Sequence, residues 1–361
     1  MLWFIGIGIN GYRGISLYAL DVMKSCNVIY IDTFTSALTK MDIGDLKHII
    51  KENENRKISA VQRWFVEDGR MILEQSKNNN IALLTYGDPL IATTHTELYV
   101  RAVRNFIKTD VIHAASGITS LIGEAGLHMY KFGRTVTLML APQSAISVYN
   151  TILDNLLVGN HTMILTEYSN DDDDGKPFFL DPRHVLSSLL EIEKQSKCKI
   201  FYEETFVIVG SRIGTKQKNI VSGKVRSLID TNFGVGPHSV IVTGSLHFTE
   251  SDALLTLTNN MDAPVDNTLT IDRASITMVK NYAPKAKKAI EQMKNIVRAN
   301  DNSVINNNGS IEVLNNAEYY IDDAERFLRQ GKLDLAVLSI GYAEGLIDAL
   351  RFQRGINPWL L

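Results

Sequence analysis

One stretch constrains this chain more than any other. The residues Ile81-Ala82-Leu83-Leu84 are apolar without alternation, and the run stops at Tyr86-Gly87-Asp88-Pro89 before the hydroxyl-rich Leu90-Ile91-Ala92-Thr93-Thr94-His95. An unbroken apolar run reads as a strand buried on both faces, which calls for a parallel sheet with helices on either side. Open α/β sheets bind ligands outside the carboxyl ends of their strands, so a Gly-Asp-Pro turn at this point is a natural ligand loop. Gly87 lets a ligand approach the main chain, and Pro89 stiffens the turn. Asp88 is then expected to be the exposed polar group. The same residues also read as a plain strand-to-helix turn with Asp88 as the helix cap.

The surrounding sequence alternates strand and helix, the pattern of a parallel sheet. Leu2 to Ile9 is apolar on both faces, Asn27 to Ile31 reads as the second strand, and residues 81–85 and 109–112 read as later ones. Helical spacing runs through Leu17, Leu20, Val22 and Met23, and a further helix is expected over 96–107. Gly6, Gly8 and Gly11 have the spacing of a dinucleotide fingerprint, with Asp32 at the end of the second strand as its acidic partner, so a nicotinamide enzyme is a competing reading. The small residues from His113 to Ser120 form either a ligand wall or a helix start capped by Ser116.

At 361 residues with 45% hydrophobic content the chain has room for two or three domains and a sizeable core. A formal charge of −3 gives no electrostatic footprint for nucleic acid. The two cysteines, Cys26 and Cys198, lie far apart without metal-ligand spacing, which suits a reducing compartment. The apolar start lacks a basic flank and a cleavage site, and no apolar run reaches the ~20 residues needed to span a bilayer. A cytoplasmic protein with no membrane or nucleic-acid partner is expected.

A second α/β unit is expected to begin with the strand Thr135 to Leu140 and to continue through strands at 162–166, 205–209 and 239–243. The last two border Gly210-Ser211-Arg212-Ile213-Gly214 and Gly236-Pro237-His238. Helices are predicted over Leu121 to Met129 and Val185 to Glu193, a basic polar stretch reaches Arg226, and residues 268–271 read as an edge strand. Asp171 to Asp174 read as a solvated loop, because adjacent carboxylates repel and cation-binding loops space their ligands. Metal ligand sets, a nucleophile elbow and a phosphate loop are all missing from the sequence, so none of those chemistries has a signature. After a basic amphipathic helix at 280–298 comes an Asn-rich stretch, 300–310, that reads as a flexible linker. Two apolar stripes follow, one through Ala317, Ile321 and Ala324 and one through Ala336, Ile340, Ala343 and Ile347. They predict a helical hairpin packed on the first helix, on the α/β body or on a second chain.

Four segments together resemble one family: Phe4-Ile5-Gly6-Ile7-Gly8-Ile9, Gly87-Asp88-Pro89-Leu90-Ile91-Ala92-Thr93-Thr94-His95, Gly126-Leu127-His128-Met129-Tyr130-Lys131-Phe132-Gly133, and Pro237-His238 with Gly244-Ser245-Leu246-His247. The Gly-Asp-Pro turn marks the tetrapyrrole methylase class; the Ala-Thr-Thr-His and Tyr-Lys-Phe-Gly continuations resemble the diphthine synthases within it. The resemblance covers Met1 to about Ile271. It implies an α/β fold of two domains, 1–113 and 114–274, with a cofactor cleft between them, plus an all-α extension over 275–361 that resembles a small archaeal helical domain of unknown function.

The activity implied by that resemblance is S-adenosylmethionine-dependent methylation, with S-adenosylhomocysteine as product, of an amino group on a modified histidine of translation elongation factor 2. It also implies a homodimer. Cofactor contacts would fall at Ile9, Asp88, Ile91, Ser116, Gly117, Ile118, Thr166, Ile213 and His238, with no metal. Methyl transfer from a sulfonium needs positioning more than acid-base help, so no single catalytic side chain is expected. The competing readings are a sister methylase acting on a tetrapyrrole or ribosomal RNA, and a cofactor-binding scaffold without turnover. The chain departs from the family at Gly11 and Gly14, which replace acidic residues, and at Ala141-Pro142-Gln143-Ser144-Ala145, which replaces an aromatic loop.

Overall fold

A computed structural model describes residues 1–35, 40–50, 56–169, 178–270, 274–299 and 304–359. The aspartate run 171–174 and the start of the Asn-rich stretch, 300–303, lie outside the described residues. The chain forms two compact units, 1–271 and 272–361.

The first unit opens with alternating elements: β1 (Leu2–Gly6), α1 (Leu17–Ser25), β2 (Val28–Asp32), α2 (Lys40–Ile50), β3 (Lys57–Val61), α3 (Arg63–Asp68), α4 (Arg70–Ser76), β4 (Ile81–Thr85), α5 (His95–Arg104) and β5 (Thr109–Ile112). The five strands make one parallel sheet in the order β3-β2-β4-β1-β5. β4 is buried at all five positions, as its unbroken apolar run predicts, and separate apolar clusters cover the two faces of the sheet. β3 escapes the sequence reading. It lies at the sheet edge, two of its five residues are buried, and its polar neighbours mask it.

The second half of this unit comprises α6 (Gly117–Glu124), β6 (Val136–Leu138), α7 (Pro142–Leu157), β7 (Thr162–Thr166), β8 (Tyr168–Ser169), β9 (Phe178–Phe179), α8 (Pro182–Ser196), β10 (Phe206–Ser211), β11 (Asn219–Lys224), α9 (Val225–Leu228), β12 (His238–Val242), α10 (Phe248–Leu257) and β13 (Asn259–Asn260). Six of these strands form a mixed sheet ordered β13-β11-β10-β12-β7-β6, while β8 and β9 pair as a hairpin. Three local expectations change. The polar stretch after residue 214 contains β11, whose Ile220 and Val221 are buried against β10. The helix expected to start at Leu121 begins at Gly117 and ends at Glu124, with Gly126 turning the chain at φ +73°. Residues 267–270 form a 3-10 turn and not an edge strand. The side chain of Asn267 accepts from Phe206 N and donates to the carbonyls of Phe206 and Thr243, so it plugs the sheet end through its amide.

The second unit is three helices: α11 (Ala274–Ala299), α12 (Val304–Arg329) and α13 (Leu333–Arg354). α12 runs straight through the Asn-rich residues from 304 onward, so that part of the expected linker is helix. Compositional bias toward Asn lowers helix propensity, yet the burial of Leu314, Ala317, Ile321 and Ala324 further along stabilises the helix as a whole. The apolar stripes of α12 and α13 close on α11 through Ala286, Ile290 and Met293, which gives the hairpin the first of its three expected partners.

Candidate functional site

In the parallel sheet all strands end at one edge, and the loops leaving them line a cleft of about 610 Å³. Ile9 follows β1, Thr35 follows β2, Arg63 follows β3, Gly87, Asp88, Ile91 and Ala92 follow β4, and Ser116 follows β5. The mixed sheet meets them with the ends of β7 and β10 and the start of β12. Its register aligns Leu165, Ser239 and Gly210 across three strands, all of them lining the cleft.

All nine residues expected at a cofactor site line this one cleft: Ile9, Asp88, Ile91, Ser116, Gly117, Ile118, Thr166, Ile213 and His238. One expectation about them is corrected. Asp88 is buried, 3% exposed, and its carboxylate is spent on its own surroundings. It accepts from Leu90 N at 3.0 Å and Ala114 N at 3.2 Å, and lies 2.8 Å from His113 Nδ1. Asp88 therefore locks the β4 and β5 loops together instead of presenting a free charge.

The neighbouring main chain is equally fixed. Gly8 and Gly87 exchange hydrogen bonds at 3.2 and 2.9 Å, which joins the loops after β1 and β4, and Gly87 sits at φ +80°. The Tyr86 hydroxyl donates to Ile9 O at 2.7 Å. Ile9 itself packs among Leu121, Ile208 and Ile213 of the second half, so a loop of one sheet is buried in the core of the other. Ser116 caps α6, its hydroxyl accepting from Ile118 N at 3.3 Å. On the opposite wall the Thr166 hydroxyl donates to His238 O at 2.9 Å, and His238 Nδ1 lies 2.8 Å from Ser211 Oγ. Burial holds the His238 pKa below its ordinary value, with Arg212 adding to the effect and Asp181 opposing it, so the ring is neutral at pH 7. Ala92 and Arg212, next to Ile91 and Ile213, both adopt left-handed φ values, +56° and +53°. Strained backbone at non-glycine residues gathers where a surrounding structure enforces a site.

The competing nicotinamide reading loses its acidic residue. Asp32 is fully buried, accepts from Phe34 N at 2.7 Å and Thr35 N at 3.0 Å, and lies 3.2 Å from His95 Nε2. It has no exposed oxygen to offer a ribose.

Thr35 and Tyr86, which stand at strand ends in the sequence, also line the cleft, together with residues that sequence reasoning missed: Arg63, Thr137, Met139, Glu167 and Tyr168. Arg63 was hidden with β3, since identifying that strand would have marked the residues after Val61 as a strand end. Glu167 and Tyr168 directly follow β7 and needed only the strand-end rule carried two residues further.

Residues 1–229 match the model of the tetrapyrrole (corrin/porphyrin) methylases, and residues 281–356 match a protein family of unknown function, DUF357. The chain is 35% identical to a diphthine synthase of Methanococcus maripaludis (strain C5) and 34% identical to one of Methanocaldococcus jannaschii, in each case over 264 residues that cover 72% of this chain and 100% of the relative. Among solved structures, one of a diphthine synthase superposes with a TM-score of 0.62 at 23% identity, covering 72% of this chain and 96% of that one, a likeness of fold.

Proposed function

Because the chain belongs to the tetrapyrrole methylase family and, within it, to the diphthine synthases, we propose that its cleft holds S-adenosylmethionine and methylates the amino group of the modified histidine of elongation factor 2. As a diphthine synthase it is a methyltransferase of diphthamide biosynthesis. The gathering around one cleft of the nine residues that the family resemblance implies carries the cofactor part of the proposal.

The residues present fit such a cofactor. A volume of about 610 Å³ suits a nucleoside-sized ligand, since small-molecule sites span about 300–1,000 Å³. Ile9, Ile118 and Ile213 supply apolar wall, and Gly87 and Gly117 leave open space where a side chain would otherwise stand. Those residues, with main-chain groups at Asp88, Ser116, Thr166 and His238, would hold it. When bound, the cofactor supplies a methyl group already activated on a cationic sulfur. The protein's work is then to position an amine and exclude water, an effect that can account for roughly 7–11 kcal/mol of a barrier. The amine must be neutral, and an α-amino group has a reference pKa near ~8, so partial desolvation in the cleft favours the reactive form. Asp88 is already engaged by three partners and does not act as a free base.

Calorimetric titration with S-adenosylmethionine, followed by mass spectrometry of elongation factor 2 bearing the unmethylated precursor, tests the proposal. Binding with gains of whole methyl masses is expected. Binding without any gain would sink the substrate assignment and leave a sister methylase or a scaffold, and absence of binding would sink the cofactor assignment as well.

A further inference from the structure

The charged groups of the cleft are unequally available. Among the described lining residues, Arg63, Asp88, Glu167 and His238 are the acidic, basic or histidine side chains. Asp88 is saturated by its own loops and His238 is neutral. Glu167 already accepts from Leu140 N at 2.7 Å through Oε2. Arg63 is different. It is the first residue of α3, its guanidinium stands 5.2 Å from the centre of the Phe34 ring, and its one other partner among the described residues is Glu67 at 3.8 Å across a half-exposed gap. An exposed ion pair at that distance holds the guanidinium weakly, whereas the aromatic face fixes its orientation without using its N–H donors.

The platform under Arg63 is rigid. Phe34 is buried and its amide is bound by Asp32, while its ring packs edge-on against the fully buried His95 at 5.9 Å. Tyr168, which follows Glu167, donates its hydroxyl to Thr33 O at 3.1 Å, so the second sheet is tied to the same turn. A planar cation whose donors no described residue accepts, held on a fixed ring in the lining of a ligand cleft, is built to receive a planar anion.

We propose that Arg63 is the carboxylate anchor of the cleft, taking the carboxylate of an amino-acid group in a bidentate pair, a role that presupposes the methyl-transfer reading above. Two ligands can present that chemistry: the methionyl end of the cofactor, and a carboxylate beside the target amine on the protein substrate. In either case Arg63 orients the ligand and takes no part in proton transfer.

The test titrates the full-length protein and its Arg63→Gln and Arg63→Lys variants with S-adenosylhomocysteine and with the same nucleoside lacking its carboxylate, and measures KM and kcat on elongation factor 2. If Arg63 holds the cofactor, the wild type prefers the carboxylate-bearing nucleoside by about 10- to 100-fold and Arg63→Gln abolishes the preference, in line with a charge-assisted pair. If it holds the substrate, both nucleosides bind Arg63→Gln normally while KM rises by about the same factor and kcat changes less. Arg63→Lys keeps the charge without the fork and should fall between the two in either case. An Arg63→Gln protein with wild-type melting temperature, nucleoside preference and KM overturns the inference while leaving methyl transfer intact. A wild type that binds neither nucleoside overturns the functional reading first.

Discussion

The two sheets of the 1–271 unit reach the same cleft by different routes. In the parallel sheet every strand points the same way, so the loops after all five strands deliver lining residues: Ile9, Thr35, Arg63, Asp88 and Ser116. In the mixed sheet β12 runs against β7 and β10, so its contribution, His238, sits at a strand start and meets Ser211 and Thr166 at strand ends. A parallel sheet therefore announces its site through one rule, and a mixed sheet only through its register. The difference extends to what closes the strand ends: against Gly6 at the end of β1 stands the main chain of another loop, Gly87 O, whereas against Gly210 at the edge of β10 stands a side chain, Leu121.

A pair of glycine substitutions would break or sharpen that contrast most strongly. A Cβ on Gly6, at the end of β1, would stand 2.6 Å from Gly87 O and 2.8 Å from Ala114 Cβ, in a gap bounded by two loops that cannot move independently. A Cβ on Gly210, at the matching edge of β10, would meet the tip of Leu121 at 2.4 Å. Gly6→Ala is expected to lose about 3–4 kcal/mol, with cofactor binding abolished, a size reserved for severe core defects. Gly210→Ala should lose about 1–3 kcal/mol as Leu121 repacks. Equal losses in denaturant titration would show that main-chain and side-chain locking are equivalent here.

The buried carboxylates of the two halves offer the next test. Glu250, fully buried, takes the Lys131 ammonium, the amides of His128 and His247, and His161 Nε2 at 3.0 Å. Burial alone would raise its pKa, but Lys131 and those other donors outweigh it and hold the carboxyl at about 2 instead of 4.5. A folded-state pKa below the unfolded one adds stability that is full above pH 4.5 and drains away as pH falls toward 2. The gain is on the order of 3 kcal/mol. Glu250→Gln should therefore melt earlier at pH 7 and lose less stability than the wild type between pH 5 and 3, with cofactor affinity unchanged, because Glu250 lies outside the cleft lining. Asp88→Asn should do the opposite: a smaller stability loss of about 1–2 kcal/mol, from turning an amide N–H against donors, accompanied by weaker binding. Matching pH profiles for Glu250→Gln and the wild type would show that the carboxylate is not the source of the acid lability.

How far the sequence could be read follows from the same contrast. β1, β2 and β4 were legible because burial on both faces erases alternation, and the Gly-Asp-Pro turn marked where the best of them ends. β3 and β11 were not, since an edge strand and a strand flanked by lysines keep too few apolar residues to stand out. The nine expected site residues came from family resemblance matched residue by residue, whereas Arg63 required knowing that β3 exists. Asp88 illustrates the remaining gap: residue type told that it mattered, and only the hydrogen bonds to Leu90, Ala114 and His113 told that its charge is used internally.

The smallest expected effect concerns the glycines that border open cleft space. Gly87 has φ +80° and a Cβ there would find nothing nearer than Ala115 O at 3.9 Å, so Gly87→Ala costs only the left-handed strain of about 1–2 kcal/mol. Gly117 opens α6 with ordinary backbone, and its Cβ would approach only Ile9 Cγ2 at 4.0 Å. Gly117→Ala should then leave stability unchanged or raise it by up to about 1 kcal/mol through helix propensity. Both substitutions place a methyl group beside the cleft lining. If these main-chain surfaces touch the cofactor, calorimetry will show weaker S-adenosylmethionine binding in both variants although their stabilities move apart. Unchanged affinity in Gly117→Ala together with a loss in Gly87→Ala would confine the close approach to the loop after β4 and exclude the start of α6 as a surface that touches the cofactor.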